Sequence, residues 1–230
     1  MIRKLFSVII VSVVSANCFA AGSDGTVLQT ILEKCGLDGA IAGDAAIMEN
    51  GSVVSLNLAN RDLSKDGYAE LPAEIGQLTE LRELDCSGNI LQTIPPELGN
   101  CTKLKKLDLK SNRITVLPPE IGRLVNLTYL DLKHNSLSVI PPELGNCGNL
   151  EYLWLWGNKL TALDPAIVKL RKLKELYLTD NRLTTLPLGI VGMRFKYIDL
   201  VGNKLCNMSS VLDIWAKKYD QQYRSLQRCL

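Results

Sequence analysis

One phrase of 23 residues constrains this chain more than anything else in it. It is clearest over 127–149 (LTYLDLKHNSLSVIPPELGNCGN), and Leu81, Leu104, Leu127, Leu150 and Leu173 each open a copy of L-x-x-L-x-L-x-x-N-x-L-x-x-L/I-P-x-x-L/I-G. The leucines are too widely spaced for one helix face and too numerous for a loop. Each copy must therefore coil once and bury its leucines against the next copy, which is a solenoid. A degenerate copy precedes the regular five, with Leu56, Leu58 and Leu63 in phase and extra residues within Ser64 to Glu70. A last partial copy follows, with Phe195, Ile198, Leu200, Asn203 and Leu205, so seven coils are expected over 53–205.

Position within the phrase predicts the role of each side chain. The L-x-L centre is a short strand whose leucines point inward while the residues between them point outward, because side chains alternate across a strand. Successive strands pair in parallel into one sheet. Asn89, Asn112, Asn135, Asn158, Asn181 and Asn203 recur just after the strand. A buried amide both donates and accepts, so this column is expected to satisfy the backbone of the turns and not to bind ligand. Pro72, Pro95, Pro118, Pro141 and Pro187 end the ascending segment. Cys86, Cys101 and Cys147 stand where sister copies have Leu and are expected to be small core residues.

The flanks read differently. Residues 1–20 have a basic start (Arg3, Lys4), an apolar run (Leu5 to Val14) and a Cys18-Phe19-Ala20 end, the layout of a secretory signal peptide. Acylation at Cys18 is the alternative, disfavoured by Asn17 before it. No other apolar run is long enough to span a membrane. Removing Arg3 and Lys4 with the leader leaves 24 Lys+Arg against 24 Asp+Glu. A neutral chain has no electrostatic footprint for nucleic acid or anionic lipid. The expected address is secreted, periplasmic or cell-surface.

Residues 21–52 are read as an N-terminal cap, with a helix over Thr26–Cys35 ended by Gly36 and an Asn50-Gly51 hairpin turn leading into the first coil. Such covers keep the terminal leucine layer from water. Residues 206–230 are read as a C-terminal helical cap, opened by a capping box at Ser210–Asp213 and apolar at Val211, Leu212, Trp215 and Tyr219. Cys206 and Cys229 bracket it, and a disulfide between them is expected; Cys35 has no evident partner. A catalytic domain behind the repeats is not expected, since 25 residues follow Leu205.

The phrase resembles the leucine-rich repeat family in its 23-residue L-P-x-x-I/L-G form, over Val53 to Leu205. The resemblance implies an α/β solenoid, a right-handed horseshoe with one short parallel strand per repeat on its concave side, and a non-catalytic binding role. Asp164 departs from the pattern where Pro is expected, Cys86 replaces a strand leucine, and the paired cysteines common in the N-terminal caps of extracellular members are lacking. The short leader and small caps look most like secreted bacterial relatives.

Function is then a question about the outward places. The third holds Ser55, Glu83, Lys106, Tyr129, Tyr152, Glu175 and Tyr197; the fifth holds Asn57, Asp85, Asp108, Asp131, Trp154, Tyr177 and Asp199. Just beyond lie Lys110, Lys133, Trp156 and Thr179 at the seventh place and Ser111, His134 and Asp180 at the eighth. Aromatics are only 6% of the chain, yet six fall on this face across four neighbouring coils. Aromatic residues suit strands and pair across them, but a contiguous group of six points to a binding surface. The row Asp85, Asp108, Asp131 reads equally as a solvated mixed-charge face, compensated by Lys106, Lys110 and Lys133, or as ligand acceptors.

Tyr129, Asp131, His134, Tyr152, Trp154, Trp156, Tyr177, Tyr197, Asp108 and Lys133 are thus the candidate ligand-binding residues. A protein or glycan is the expected partner of a monomeric, non-enzymatic chain without metal or cofactor. His134 is the only histidine and no phosphate loop occurs. The alternatives are an inhibitor of extracellular hydrolases, acting through the same face, and a scaffold with no small ligand.

Overall fold

The computed structural model describes residues 23–37, 45–63, 70–219 and 227. Helix α1 (Ser23–Lys34) leads to strands β1 (Ala46–Glu49) and β2 (Ser52–Asn57), then to six three-residue strands. These are β3 (Glu83–Asp85), β4 (Lys106–Asp108), β5 (Tyr129–Asp131), β6 (Tyr152–Trp154), β7 (Glu175–Tyr177) and β8 (Tyr197–Asp199), followed by helix α2 (Ser210–Tyr219). The strands form one sheet in chain order, β2 to β8 parallel and β1 antiparallel to β2. The β1–β2 turn is at Asn50 (φ 51°) and Gly51 (φ 82°), the two left-handed residues a tight hairpin requires. Behind β2 to β7 the chain returns through one five-residue 3₁₀ turn per coil, from Ala73–Gln77 to Leu188–Gly192.

The inward leucines form one continuous core. Leu84, Leu107, Leu130, Leu153, Leu176 and Ile198, at the strand centres, are all at most 2% exposed, and Cys86, Cys101 and Cys147 are buried beside them as free thiols, as is Cys35. Burial pushes Cys101 and Cys147 up to about 12 and Cys35 up to about 11. The asparagine column is a bonded ladder. In each coil from Asn112 to Asn181 the Nδ2 donates to carbonyls of its own coil and the previous one, and Oδ1 accepts from a main-chain N–H of the previous coil. Close approach of the 3₁₀ turns explains the terminal glycine of the phrase: a Cβ on Gly99 would lie 2.6 Å from the Glu120 carbonyl oxygen. Where Asp164 replaces proline, its Oδ1 accepts from Ala166 N at 2.7 Å and caps the turn.

Several expectations change or pass out of view. The N-terminal helix begins earlier than expected, at Ser23, and stops before Gly36 (φ 73°). The C-terminal helix is capped by Ser209, whose Oγ accepts from Leu212 N at 3.5 Å, instead of by a box at Ser210–Asp213. Asp213 pairs with Lys217 at 3.0 Å. Val211 is 53% exposed because the apolar face turns on Leu212, Trp215 and Ala216, with Phe195, Trp215 and Tyr219 meeting edge to face or tilted at 5.4–6.1 Å. The leader (1–20), most of the inserted segment after Leu63, and Cys229 lie outside the described residues. The Cys206–Cys229 bridge therefore does too.

Candidate ligand-binding face

Register turns the repeat columns into spatial rows. Glu83, Lys106, Tyr129, Tyr152, Glu175 and Tyr197 are consecutive partners across the sheet, and so are Asn57, Asp85, Asp108, Asp131, Trp154, Tyr177 and Asp199. Neighbours in a row stand one strand spacing apart, about 4.8 Å, close enough for rings to touch. Tyr152 meets Tyr129 at 6.3 Å between centroids, Tyr129 meets Trp154 at 4.9 Å, Trp154 meets Tyr177 at 5.6 Å and Tyr177 meets Tyr197 at 4.9 Å. The two contacts of Trp154 are edge to face, at 74° and 78°. Each such pair contributes about 0.5–1.5 kcal/mol beyond its buried area, so the five rings hold one another in place.

Trp154 is the centre of this floor. Lys133 Nζ sits 4.3 Å from its ring centroid and 3.3 Å from Asp131 Oδ2, which also accepts from Tyr129 Oη at 3.2 Å. Asp131, Lys133, Tyr129 and Trp154 thus form one cluster in which the lysine is held by a carboxylate and an aromatic face together. The Trp154 Nε1 donor is buried and has no hydrogen-bond partner among the described residues. Burial, reinforced by Asp131 and Asp108, raises the Tyr129 phenol far above its ordinary range; burial, then Glu175 and Asp199, raises Tyr177.

The acidic row has a structural task that the spacing did not reveal. Asp85, Asp108, Asp131 and Asp199 each accept, through Oδ1, the N–H two residues on, at 2.9–3.1 Å, and Asn57 does the same at 3.0 Å. These are Asx turns that end β2, β3, β4, β5 and β8, whereas β6 and β7 end in Trp154 and Tyr177. Asn57 in the column was the available signal, because Asp and Asn share this bond and not a charge. Asp108 is 5% and Asp131 1% exposed, and each is also paired with a lysine of its own coil, Lys110 or Lys133, at 3.3 Å. Burial raises the Asp108 carboxyl, with Asp131 and Asp85 acting in the same sense. Asp108 in turn raises Lys110, so in this pair desolvation of the acid outweighs the attraction that holds the base. Asp131 is thereby tied to the floor through Tyr129 and Lys133, and Asp108 to Lys110 of its own coil.

Of the predicted residues, Tyr129, Tyr152, Trp154, Tyr177, Tyr197, Asp131 and Lys133 converge, with Asp108 alongside. Trp156 and His134 stand apart on the rim, their rings 4.9 Å from each other. Trp156 Nε1 donates to Asp180 Oδ2 at 3.3 Å, a partner the candidate set omitted although it shares the eighth place with His134. At the other end of the face a cavity of about 120 Å³ is lined by Ser55, Asn57, Glu83, Asp85 and Lys106. Among the described residues no group of three or more His, Cys, Asp or Glu is placed to hold a metal ion, and no helix is long and apolar enough to cross a membrane.

Comparison with known proteins places this architecture. A family model described as leucine rich repeat matches residues 79–137 and 102–147, and a second, of two leucine rich repeat copies, matches 148–190. No curated protein sequence matches. Among solved structures, a leucine-rich repeat protein of Leptospira interrogans is 29% identical with a TM-score of 0.54, over 84% of this chain and 61% of that one. A TDR receptor is 34% identical with a TM-score of 0.55, over 60% of this chain and 25% of the receptor. A plant ice-binding protein is 26% identical with a TM-score of 0.67, over 77% of this chain and 62% of that one. The chain thus spans less than two thirds of the length of each. The matched repeats, the parallel sheet with its 3₁₀ returns and these neighbours agree: the chain belongs to the leucine-rich repeats, a family of interaction modules.

Proposed function

We propose that this protein is a secreted, non-enzymatic recognition module that holds a protein or glycan ligand against the open aromatic face of its sheet. The observation that carries the reading is the unbroken contact chain Tyr152–Tyr129–Trp154–Tyr177–Tyr197 on the face that no other element covers among the described residues. Aromatic side chains dominate interface energies because they bury large rigid areas at small entropic cost. These rings are fixed by one another and by Lys133 before any ligand arrives, which lowers the ordering cost of binding.

The experiment is a binding screen of the processed chain against immobilised extracellular proteins and glycans, followed by Trp154→Ala and Tyr177→Ala on whatever is retained. The double variant should weaken binding by roughly 2 kcal/mol or more, as loss of interface anchors does. Unchanged affinity in a folded double variant would refute the assignment of this face.

A further inference from the structure

The eighth place of every coil has a left-handed backbone: Asn60, Gly88, Ser111, His134, Gly157, Asp180 and Gly202 all have φ between 52° and 70°. Glycine adopts this conformation freely and Asn or Asp readily, whereas Ser and His do so at a conformational cost. Backbone strain of this kind is a reason to ask what the side chain does. In three coils the eighth-place side chain leans over a glycine of the next coil. A Cβ on Gly157 would lie 2.8 Å from His134 Nδ1, and one on Gly88 or Gly202 would collide with Asn60 or Asp180.

Two of these three overlaps bracket Trp156. His134 reaches over Gly157 and sets its ring 4.9 Å from the indole; Asp180, from the following coil, accepts the indole N–H at 3.3 Å. The indole is therefore pinned from both neighbouring coils, yet Trp156 remains 37% exposed. A pinned and exposed ring is a preorganised platform. The rim beside it carries the imidazole, the carboxylate and, one coil on, Thr179, whose carbonyl accepts from Gly157 N. A protein interface is centred on several apolar anchors within a polar rim, which this spot lacks. A pyranose needs one flat ring for its C–H face and fixed polar groups for its hydroxyl edge.

We infer that Trp156, His134 and Asp180 form a glycan subsite in which a neutral pyranose stacks on the indole and meets Asp180 and His134 through its hydroxyls. The inference rests on the reading that this face binds a ligand, and it names the ligand class at the rim.

The test is an array of neutral hexose and N-acetylhexosamine oligosaccharides, with sulfated and sialylated glycans beside them, followed by calorimetry with the neutral oligosaccharide retained best. Wild-type protein should retain at least one neutral glycan. Trp156→Ala should weaken that binding ten-fold or more and Asp180→Ala several-fold. Trp156→Tyr, which keeps a ring, should lose less than Trp156→Ala, and Lys169→Ala, exposed on the 3₁₀ turn behind the same coil, should leave it within two-fold. Retention of no neutral glycan, or equal affinity in the folded Trp156→Ala protein, overturns the subsite. If instead a protein ligand is retained and lost with Trp154→Ala and Tyr177→Ala, the floor reading stands while the subsite falls.

Discussion

Replacing Asn158 by Ala and, separately, by Asp tests how the coils are joined. Asn158 is 6% exposed; its Nδ2 donates to the Leu132 and Leu155 carbonyls at 2.9 Å each, and its Oδ1 accepts from Leu137 N at 3.0 Å. The carbonyls are shared, because Leu132 O also accepts from Asn135 at 3.1 Å and Leu155 O from Asn181 at 2.9 Å. Alanine therefore leaves each carbonyl with a partner but strips Leu137 N of its acceptor. A buried unmet donor costs about 1–3 kcal/mol and the two lost bonds to carbonyls about 1 kcal/mol each, so Asn158→Ala should cost roughly 3–5 kcal/mol. Aspartate is almost the same shape and keeps the acceptor for Leu137 N. It nonetheless turns a carboxylate oxygen toward two carbonyl oxygens in a buried site, and at pH 7 it should destabilise at least as much as alanine. That burial raises the folded carboxyl above its unfolded value, so the penalty is full above the folded value and shrinks as pH falls through it. Urea unfolding followed by far-ultraviolet circular dichroism at pH 7 and pH 4 reads both effects through the midpoint at constant slope. Wild-type stability of Asn158→Asp at pH 7 would refute the ladder as the joint between coils.

Two further outcomes follow from the same geometry. Gly99→Ala places a Cβ 2.6 Å from a backbone oxygen and should cost about 1–3 kcal/mol, whereas Gly192→Ala meets nothing within 4 Å and should stay within about 0.5 kcal/mol of wild type in the same assay. Tyr129 should stay protonated through pH 11 while exposed tyrosines ionise, so Tyr129→Phe should leave the ultraviolet titration amplitude to that pH unchanged. Since the unfolded phenol ionises near pH 10 and the folded one does not, Tyr129 should make stability fall as pH rises above about 10, a loss that Tyr129→Phe removes.

How much of the site was legible depends on the range of the interaction. The aromatic group was visible because place within the phrase dictates facing, and Tyr129, Tyr152, Trp154, Tyr177 and Tyr197 do share one floor. The Asp108–Asp131 row was visible as charge but not as Asx turns, because the acceptor is a main-chain N–H whose orientation the residue type does not announce. Place within the phrase groups Trp156 with the floor. What separates it is its contact with His134 and Asp180, 22 and 24 residues away in sequence and one coil to either side. Val211 fell on the wrong side because Leu212, Trp215, Ala216 and Tyr219 recur at helical spacing on one face, and Val211, one residue before Leu212, lies about 100° around the helix from it.

The repeat by itself determined the solenoid, the inward leucines, the asparagine ladder and the place of the 3₁₀-turn glycine in the four coils that carry it, at Gly76, Gly99, Gly122 and Gly145. All of these follow from one period imposed on a backbone that must satisfy its own hydrogen bonds. Only the tertiary structure decided which outward side chains remain available. Strands about 4.8 Å apart make every outward residue the neighbour of two others a full coil distant, and those neighbours set whether it is covered, paired or left open. Lys133 bound to Asp131 and Trp154, and Trp156 held between His134 and Asp180, are products of that lateral packing.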